Sequence, residues 1–550
     1  MTSKEALVKF LRSIDGKAYS RYRELSPSYD MDGPTLYIDK IQNEPSSASY
    51  MRVRISFAMS GFPDDAHDTG TKEIALRDLI ARRFWESCRT FAKGNSGGNQ
   101  GGAMSIPRPG QEILGRSSVV ASGSFIEVRF KASLPSAGRN VAGKAAEKML
   151  ADDLIEIVKA SLFFSSYKRS KVYNHLNTAV TAQTIRSALR ERGLTAFIAD
   201  GSILPRREDG LAPMIGAVPF TSPDCLRTSF ATADGNTVEG MGIPEGITAV
   251  IGATGHGRST LIDAISSGVY DHIPGDGREL VITVEDAAVV TGDIGRSVKN
   301  ADVSLFMSDT LHDVRSISSD NADDALSSAV SASEALEIGS GLLLMDDTSV
   351  NHGLLYCDDE INSLLPEGDE KMIPVKRAVR QHGLGISVIY ACRHSDALDA
   401  DTAIMMSGHT AIRSVRSTVT NDNTKQLLLA ERMPISKNMD MTKGRKDVNS
   451  IALSSFKMEF GETVIKIPRP VADVCQMAAI ADAMIPAKDI MDGTVTMKEL
   501  TKRLEEVQRN KINSAEVNAG PDMAVFRKYD IAAVINRHPE IVVAQKRPLR

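Results

Sequence analysis

This chain lacks most of what would mark it as secreted, membrane-embedded or built to hold a metal cluster. It has five cysteines in 550 residues. They stand at Cys88, Cys225, Cys357, Cys392 and Cys475, with no C-x-x-C and no paired spacing. That excludes a disulfide framework and a cysteine-based zinc site, and predicts a reducing compartment with buried or incidental thiols. No apolar run approaches the roughly 18–20 residues that a membrane span needs. Neither charge sign dominates: the formal net charge is -5, which argues against wholesale electrostatic binding of nucleic acid and leaves room only for a local basic face. No internal repeat is visible. The start, MTSKEALVKFLRSIDGKAYSRYREL, is basic, but Glu5, Asp15 and Glu24 are unlike an acid-poor transit peptide. The expectation is a soluble intracellular protein, cytoplasmic, with a mitochondrial address as the alternative.

What is present is ordinary globular composition, 42% hydrophobic and 25% charged, over a length that predicts two to four domains. The most informative stretch is TAVIGATGHGRSTLIDAI, Thr248 to Ile265. Thr248 to Ile251 reads as a buried strand, Gly252 to Ser259 spells G-x-x-x-x-G-[basic]-S, and Thr260 to Ile265 takes up helical spacing. Strand, glycine-rich loop and helix in that order are the setting of a phosphate-binding P-loop. Its backbone N–H groups turn inward as an anion nest, and the helix N-terminus adds its positive dipole end. The loop Gly252, Ala253, Thr254, Gly255, His256, Gly257, Arg258, Ser259 and Thr260 is therefore the candidate ATP site. Arg258 stands where lysine is usual; its planar, larger guanidinium is not a simple replacement for a compact ammonium.

Downstream, Gly341 to Met345 is a buried strand running into Asp346 and Asp347, a Walker B arrangement. Ser259 and Asp346 are the candidate Mg²⁺ ligands, and Asp347 falls where ABC enzymes usually carry a carboxylate that polarises the attacking water. His394 follows the strand ISVIYA and resembles the switch histidine of those enzymes; the bland alternative is a structural histidine. The helix start NADDALSS offers Leu326-Ser327-Ser328 as a thin echo of a signature motif, while Asp323 and Asp324 would repel a triphosphate facing them.

Around these motifs the chain reads as helix to about residue 25, strand-like runs within 35–59, a helix from Ile74 to Phe91, strand patterning around Val119 to Phe130, and helices at Ala142 to Phe164 and Lys171 to Arg192. Further strands or helices are expected at Thr195 to Ile198, Asn321 to Gly339, Pro374 to His382, Ile386 to Ala391, Thr402 to Met406, Ser455 to Ile467, Met497 to Val507 and Tyr529 to Arg537. Apolar strands alternating with helices predict a parallel sheet covered on both faces. The basic side chains Arg52, Arg54, Arg116, Arg129, Lys131 and Arg139 are candidates for RNA contact, or else solvent-facing strand positions.

Several stretches look like signatures of one family: IQNEPSSASYMRVRI, GQEILGRSSV, AFIADGSILPR, VPFTSPDCL, GMGIP, GVYDHIPGDGRE, EALEIG, ADTAIMM and IAAVINR. Through nearly its whole length the chain resembles the "ATPase of the ABC class" family, which includes a kinetoplastid mitochondrial RNA-binding ATPase. The resemblance implies an ABC-type core in a homodimer that binds ATP with Mg²⁺ between subunits, with RNA association for the kinetoplastid member. It carries Gly252, Gly257, Ser259, Thr260 and Asp346 over directly. Four departures stand against it: Arg258 for lysine, DDALSS for a pattern resembling SGSTSQ, an acidic run one residue shorter than DEDTS, and ACRHS in place of a glycine-rich turn.

The expected architecture is α/β: an α+β N-terminal domain over 1–200 that is a candidate for RNA contact, an ABC-type P-loop nucleotide-binding core over 201–424, and a mixed α+β C-terminal region over 425–550. The expected function is ATP binding, with hydrolysis left open. The alternative is a catalytically impaired scaffold or nucleic-acid-binding protein of the same fold.

Overall fold

The structure, a computed structural model, describes residues 2–546 except 93, 95–100, 209, 211, 309–312, 357–370, 394–399, 417–428, 437–456, 461–462, 468 and 516–518. The chain divides into two compact units: Met1–Val180 with Gln508–Val525, and Thr181–Val507 with Phe526–Arg550. No described helix is long and apolar enough to cross a membrane.

In the first unit α1 spans Lys4–Ser13, capped by the Ser3 hydroxyl, which accepts from the Ala6 amide. The expected helix to residue 25 stops here because Gly16 turns left-handed, at φ 71°, and the chain resumes as a 3-10 turn at Tyr19–Glu24. An antiparallel sheet includes β1 (Thr35–Lys40), β2 (Ser49–Ser56), β3 (Val119–Ser122) and β4 (Phe125–Ala132). In β2 the side chains of Met51, Val53 and Ile55 are buried while Tyr50, Arg52 and Arg54 are only half-buried, the period-two pattern of a strand with one face on a core. The helix α2 (Gly70–Phe91) packs on that core, its Phe84 ring 5.7 Å from Phe130 of β4. The expected helix Ala142–Phe164 is interrupted by a π-turn at Lys148–Asp153 before α3 (Leu154–Leu162).

The second unit is built on a six-stranded sheet of β5 (Ile247–Gly252), β6 (Ala287–Val289), β7 (Leu342–Met345), β8 (Ser387–Cys392), β9 (Thr402–Ser407) and β10 (Thr410–Arg416), in the order β6-β7-β8-β5-β9-β10. β5 lies between β8 and β9, parallel to both, and all six of its residues are buried. A strand buried on both faces reads as an unbroken apolar run, which is why Thr248 to Ile251 reads as a strand in the sequence; the strand extends one residue further at each end. The sheet departs from all-parallel at one edge, where β10 pairs antiparallel with β9. Only two residues, Gly408 and His409, join those strands, and a parallel crossover needs a dozen or more. The helix α4 (Arg258–Ser267) follows β5, while between α5 (Asp324–Glu337), α6 (Val375–His382) and the sheet, Leu343, Met345, Val388 and Tyr390 pack with Val330, Ala332, Val375 and Ala378. Each fully buried aliphatic side chain there contributes roughly 1.5–3 kcal/mol.

Two buried polar networks fasten this unit, and both are made of the family-like stretches. In GVYDHIPGDGRE, Asp276 is 1% exposed. It takes both ends of the Arg206 guanidinium (2.9 and 2.6 Å) and Nδ1 of His272 (2.8 Å). Arg278 donates to Asp263 and Ser267, both on α4, each at 2.9 Å. The loop after α4 is thereby pinned to the same helix that starts at the P-loop. In EALEIG, Glu334 receives both arms of Arg296 at 2.9 and 2.7 Å, and Glu337 receives Arg432 at 2.9 and 2.6 Å. Asn536, in IAAVINR on α8 (Lys528–Arg537, the helix that follows α7 at Val474–Ile490), closes the network by accepting from Arg432 at 2.9 Å.

Candidate functional site

β5 delivers Gly252 to the C-terminal edge of the sheet, beside the strand ends of β8 and β9. Open α/β sheets bind ligands at that edge. A Cβ at Gly252 would stand 2.5 Å from the Met406 carbonyl oxygen of β9, so only glycine lets the two backbones approach this closely. The loop then turns over Ala253, Thr254 and Gly255, all exposed, and closes with the His256 amide donating to the Ala253 carbonyl at 3.2 Å. Gly257, half-buried at φ 98°, is the residue before the helix α4. The first intrahelical bond runs from the Leu261 amide to the Gly257 carbonyl, 2.9 Å. The amides of Arg258, Ser259 and Thr260 precede it, in the position where helix N–H groups have no intrahelical acceptor and attract anions. Ser259 is exposed at this mouth and Thr260 is half-buried.

Arg258 does not reach out of the loop. It is 8% exposed and its Nη1 donates to Asp347 Oδ2 at 2.7 Å. The other Asp347 oxygen, Oδ1, is buried without a hydrogen-bond partner. The structure thus brings together two residues that the motifs assign to different tasks, one for phosphate and one for water. Asp346, half-buried at the end of β7, accepts from the amide and the hydroxyl of Thr348 through Oδ1, each at 3.0 Å. Its second oxygen and the Ser259 hydroxyl are hard oxygen donors, the set that a hydrated Mg²⁺ takes together with phosphate oxygens. His394 lies outside the described residues.

The helix α5 begins differently from a phosphate-facing signature. Asp323 caps it, its carboxylate accepting from the Leu326 amide at 2.8 Å. Asp324 accepts from the Asn351 side chain at 2.8 Å. Ser327 and Ser328 are fully buried, and the Ser328 hydroxyl accepts the Asn351 amide at 2.9 Å. The Ser327 hydroxyl donates to the Asp324 carbonyl at 3.3 Å, so both hydroxyls are engaged within the chain.

The basic side chains singled out for RNA are largely taken up inside the first unit. Glu127, fully buried, receives Arg52, Arg54 and Arg129 at 2.9, 2.7 and 3.0 Å. Arg116 is buried 3.7 Å from Asp78, and Lys131 pairs with Asp522 at 2.7 Å. Arg139 remains exposed. Substituting Arg129 by alanine is expected to lower the unfolding midpoint by an amount equivalent to about 3–5 kcal/mol, because it breaks a buried ion pair. A gel shift on RNA would change little, the side chain being inaccessible.

One residue near the loop carried no motif. His409, in the turn from β9 to β10, lies against Gly257. The available signal was the dipeptide Gly408-His409 between two strand-patterned runs.

Comparison with known proteins bears on this architecture. A family model described as the N-terminal part of ATPases of the ABC class matches residues 4–165. A P-loop-domain model of the ABC ATPases matches 168–442, half of the chain, and one described as the MRB1590 C-terminal domain matches 457–544. The uncharacterized protein MJ1628 of Methanocaldococcus jannaschii is 33% identical over 137 residues, covering 23% of this chain and 30% of that protein. The chain thus matches under a third of that relative's length. Among solved structures, cbiO1 of Clostridium perfringens, part of the ABC transporter complex cbiONQ, aligns at 17% identity over 34% of this chain and 85% of its own, with a TM-score of 0.21. A bacterial Atm1-family ABC exporter with ATP bound aligns at 9% identity over 51% of this chain and 50% of its own, with a TM-score of 0.23. The family models follow one another along the sequence, and the glycine loop and acidic strand end described above fall inside the P-loop match: the chain belongs to the family of ABC-class ATPases.

Proposed function

We propose that this chain binds MgATP at Gly252–Thr260 and works through nucleotide occupancy, with hydrolysis slow or absent. The observation that carries this reading is the Arg258–Asp347 pair. One oxygen of Asp347 holds a guanidinium and the other is buried without a partner. Neither is presented to a water molecule that would attack the γ-phosphate. Arg258, in turn, is neutralised before any phosphate arrives. Binding needs neither residue: the backbone nest and the amides opening α4 suffice to hold an anion. Ser259 and Asp346 would hold Mg²⁺, which on binding would neutralise charge on the phosphates. In the homodimer that the resemblance implies, the helix facing the nucleotide from the other subunit begins with Asp323 and Asp324, which adds repulsion where ABC enzymes place a clamp.

Titration calorimetry with MgATP, run beside phosphate release, tests the proposal. Binding heat with turnover below about 1 s⁻¹, the low end of ordinary enzymes, is the expected outcome. No heat in the presence of Mg²⁺ would sink the binding reading, and fast phosphate release would sink the slow-turnover reading. Asp347→Asn removes the charge that competes with phosphate for Arg258 and is expected to tighten ATP about tenfold, the equivalent of one charge-assisted hydrogen bond. Ser259→Ala and Asp346→Asn are each expected to reduce MgATP affinity to the value measured in EDTA, while metal-free binding stays unchanged.

A further inference from the structure

The turn from β9 to β10 has two central residues, Gly408 and His409, and both take positive φ, 54° and 67°. A two-residue hairpin of this kind requires left-handed backbone at both positions, and its second residue is ordinarily glycine. A side chain with a Cβ adopts that conformation only against steric resistance. Turn chemistry by itself therefore favours glycine or asparagine where this chain has histidine.

The ring's location supplies a reason for it. A Cβ built on Gly257 would lie 3.5 Å from the Cα and 3.5 Å from the Nδ1 of His409. The imidazole thus sits against the last glycine of the phosphate loop, next to the amides that open α4. The same hairpin meets the loop's other end, where the Met406 carbonyl approaches Gly252. His409 is exposed, so a ligand in the loop has access to the ring. The loop's own cation is meanwhile engaged, since Arg258 is held by Asp347 at 2.7 Å.

We propose that His409 contacts the phosphates of the bound nucleotide, donating a ring N–H in the role that the motif gives to position 258. Either ring nitrogen of an exposed histidine can carry that proton. The inference rests on the nucleotide reading above and adds to it a phosphate-binding residue from outside the P-loop motif.

The test sets the turn against the phosphate. In the full-length chain, His409→Asn and His409→Gly suit the turn and remove the donor, while His409→Lys strains the turn and keeps a donor. MgATP affinity by calorimetry and the thermal midpoint are read for each. The expected result is crossed: Asn and Gly variants melt no earlier than wild type but bind MgATP roughly ten- to hundredfold more weakly, the worth of one hydrogen bond to a charged group. The Lys variant melts earlier yet keeps MgATP affinity within about twofold. Wild-type affinity in both the Asn and Gly variants, or a loss in the Lys variant as large as in Gly, overturns the assignment. If the wild-type chain gives no heat with MgATP, the nucleotide reading itself fails and the inference falls with it.

Discussion

Replacing Glu334 by alanine is expected to cost about 3–5 kcal/mol of folding stability, the range for breaking a buried ion pair from one side. Glu334 is 6% exposed and lies on α5 between Arg296, which grips both its oxygens, and Arg432, 3.6 Å away. Removing the carboxylate leaves Arg296, 7% exposed, with a buried guanidinium that has lost the acceptor of both its arms. Glu334→Gln keeps the shape and some of the hydrogen bonding, and its cost is expected to be smaller but still above that of an average surface change. The pair also sets a direction for pH dependence. Burial pushes the Glu334 carboxyl up, but the Arg296 and Arg432 guanidinium groups more than offset this and hold it below its ordinary value of 4.5. A depressed acid stabilises the fold fully above its unfolded value, and that contribution drains away as pH falls through the folded one. Denaturant midpoints measured from pH 7 down to pH 3 are therefore expected to fall less steeply in Glu334→Gln than in wild type. A parallel fall in both would show that Glu334 titrates alike in the folded and unfolded chain, and a shallower fall in wild type that it is not ionised when folded.

Asp276→Ala is expected to be of the same size, about 3–5 kcal/mol, for the same reason. It strips the acceptor from Arg206 and from His272, which is 2% exposed. Its consequences should be felt first along the loop that Arg278 ties to Asp263 and Ser267. Hydrogen exchange is expected to quicken in the last turns of α4 and in residues 268–280, ahead of the sheet strands. Uniform loss of protection across the whole unit would argue instead that the loop has no independent role in holding α4.

The parts of this architecture that could be read in advance are those whose meaning is local. The strand Ile247–Gly252, the glycine loop and the helix Arg258–Ser267 occupy neighbouring positions in the chain, and their order alone implies their arrangement. The same holds for the apolar run Leu342–Met345 ending in two acids. What escaped was pairing. Arg258 and Asp347 are 89 residues apart, and motif logic gave each a ligand of its own and no reason to meet the other. EALEIG and IAAVINR stood out as patterns, but nothing in either indicates that their polar residues turn inward toward Arg296 and Arg432. The helix α7 was not anticipated at all. Cys475, Met477, Ala479, Ile480, Ala481, Ala483 and Met484 are all buried in it, so no single apolar stripe marks it as a helix, and Pro486 falls within it. Its capping box, Asp473 with Gln476 three residues on, was the readable sign. His409 escaped because a lone histidine in a tight turn carries no motif.

The charge network around α5 also limits where this protein can be divided. Arg296 and Glu334 lie near the middle of the chain, Arg432 beyond the last strand of the six-stranded sheet, and Asn536 close to the end. A chain ended at residue 425 would retain the P-loop, both aspartates and all six strands, yet Glu337 would be left in the interior without Arg432. The nucleotide site is therefore modular in sequence and not in energy: an isolated P-loop segment is expected to be destabilised for want of a counter-ion supplied 95 residues beyond Glu337.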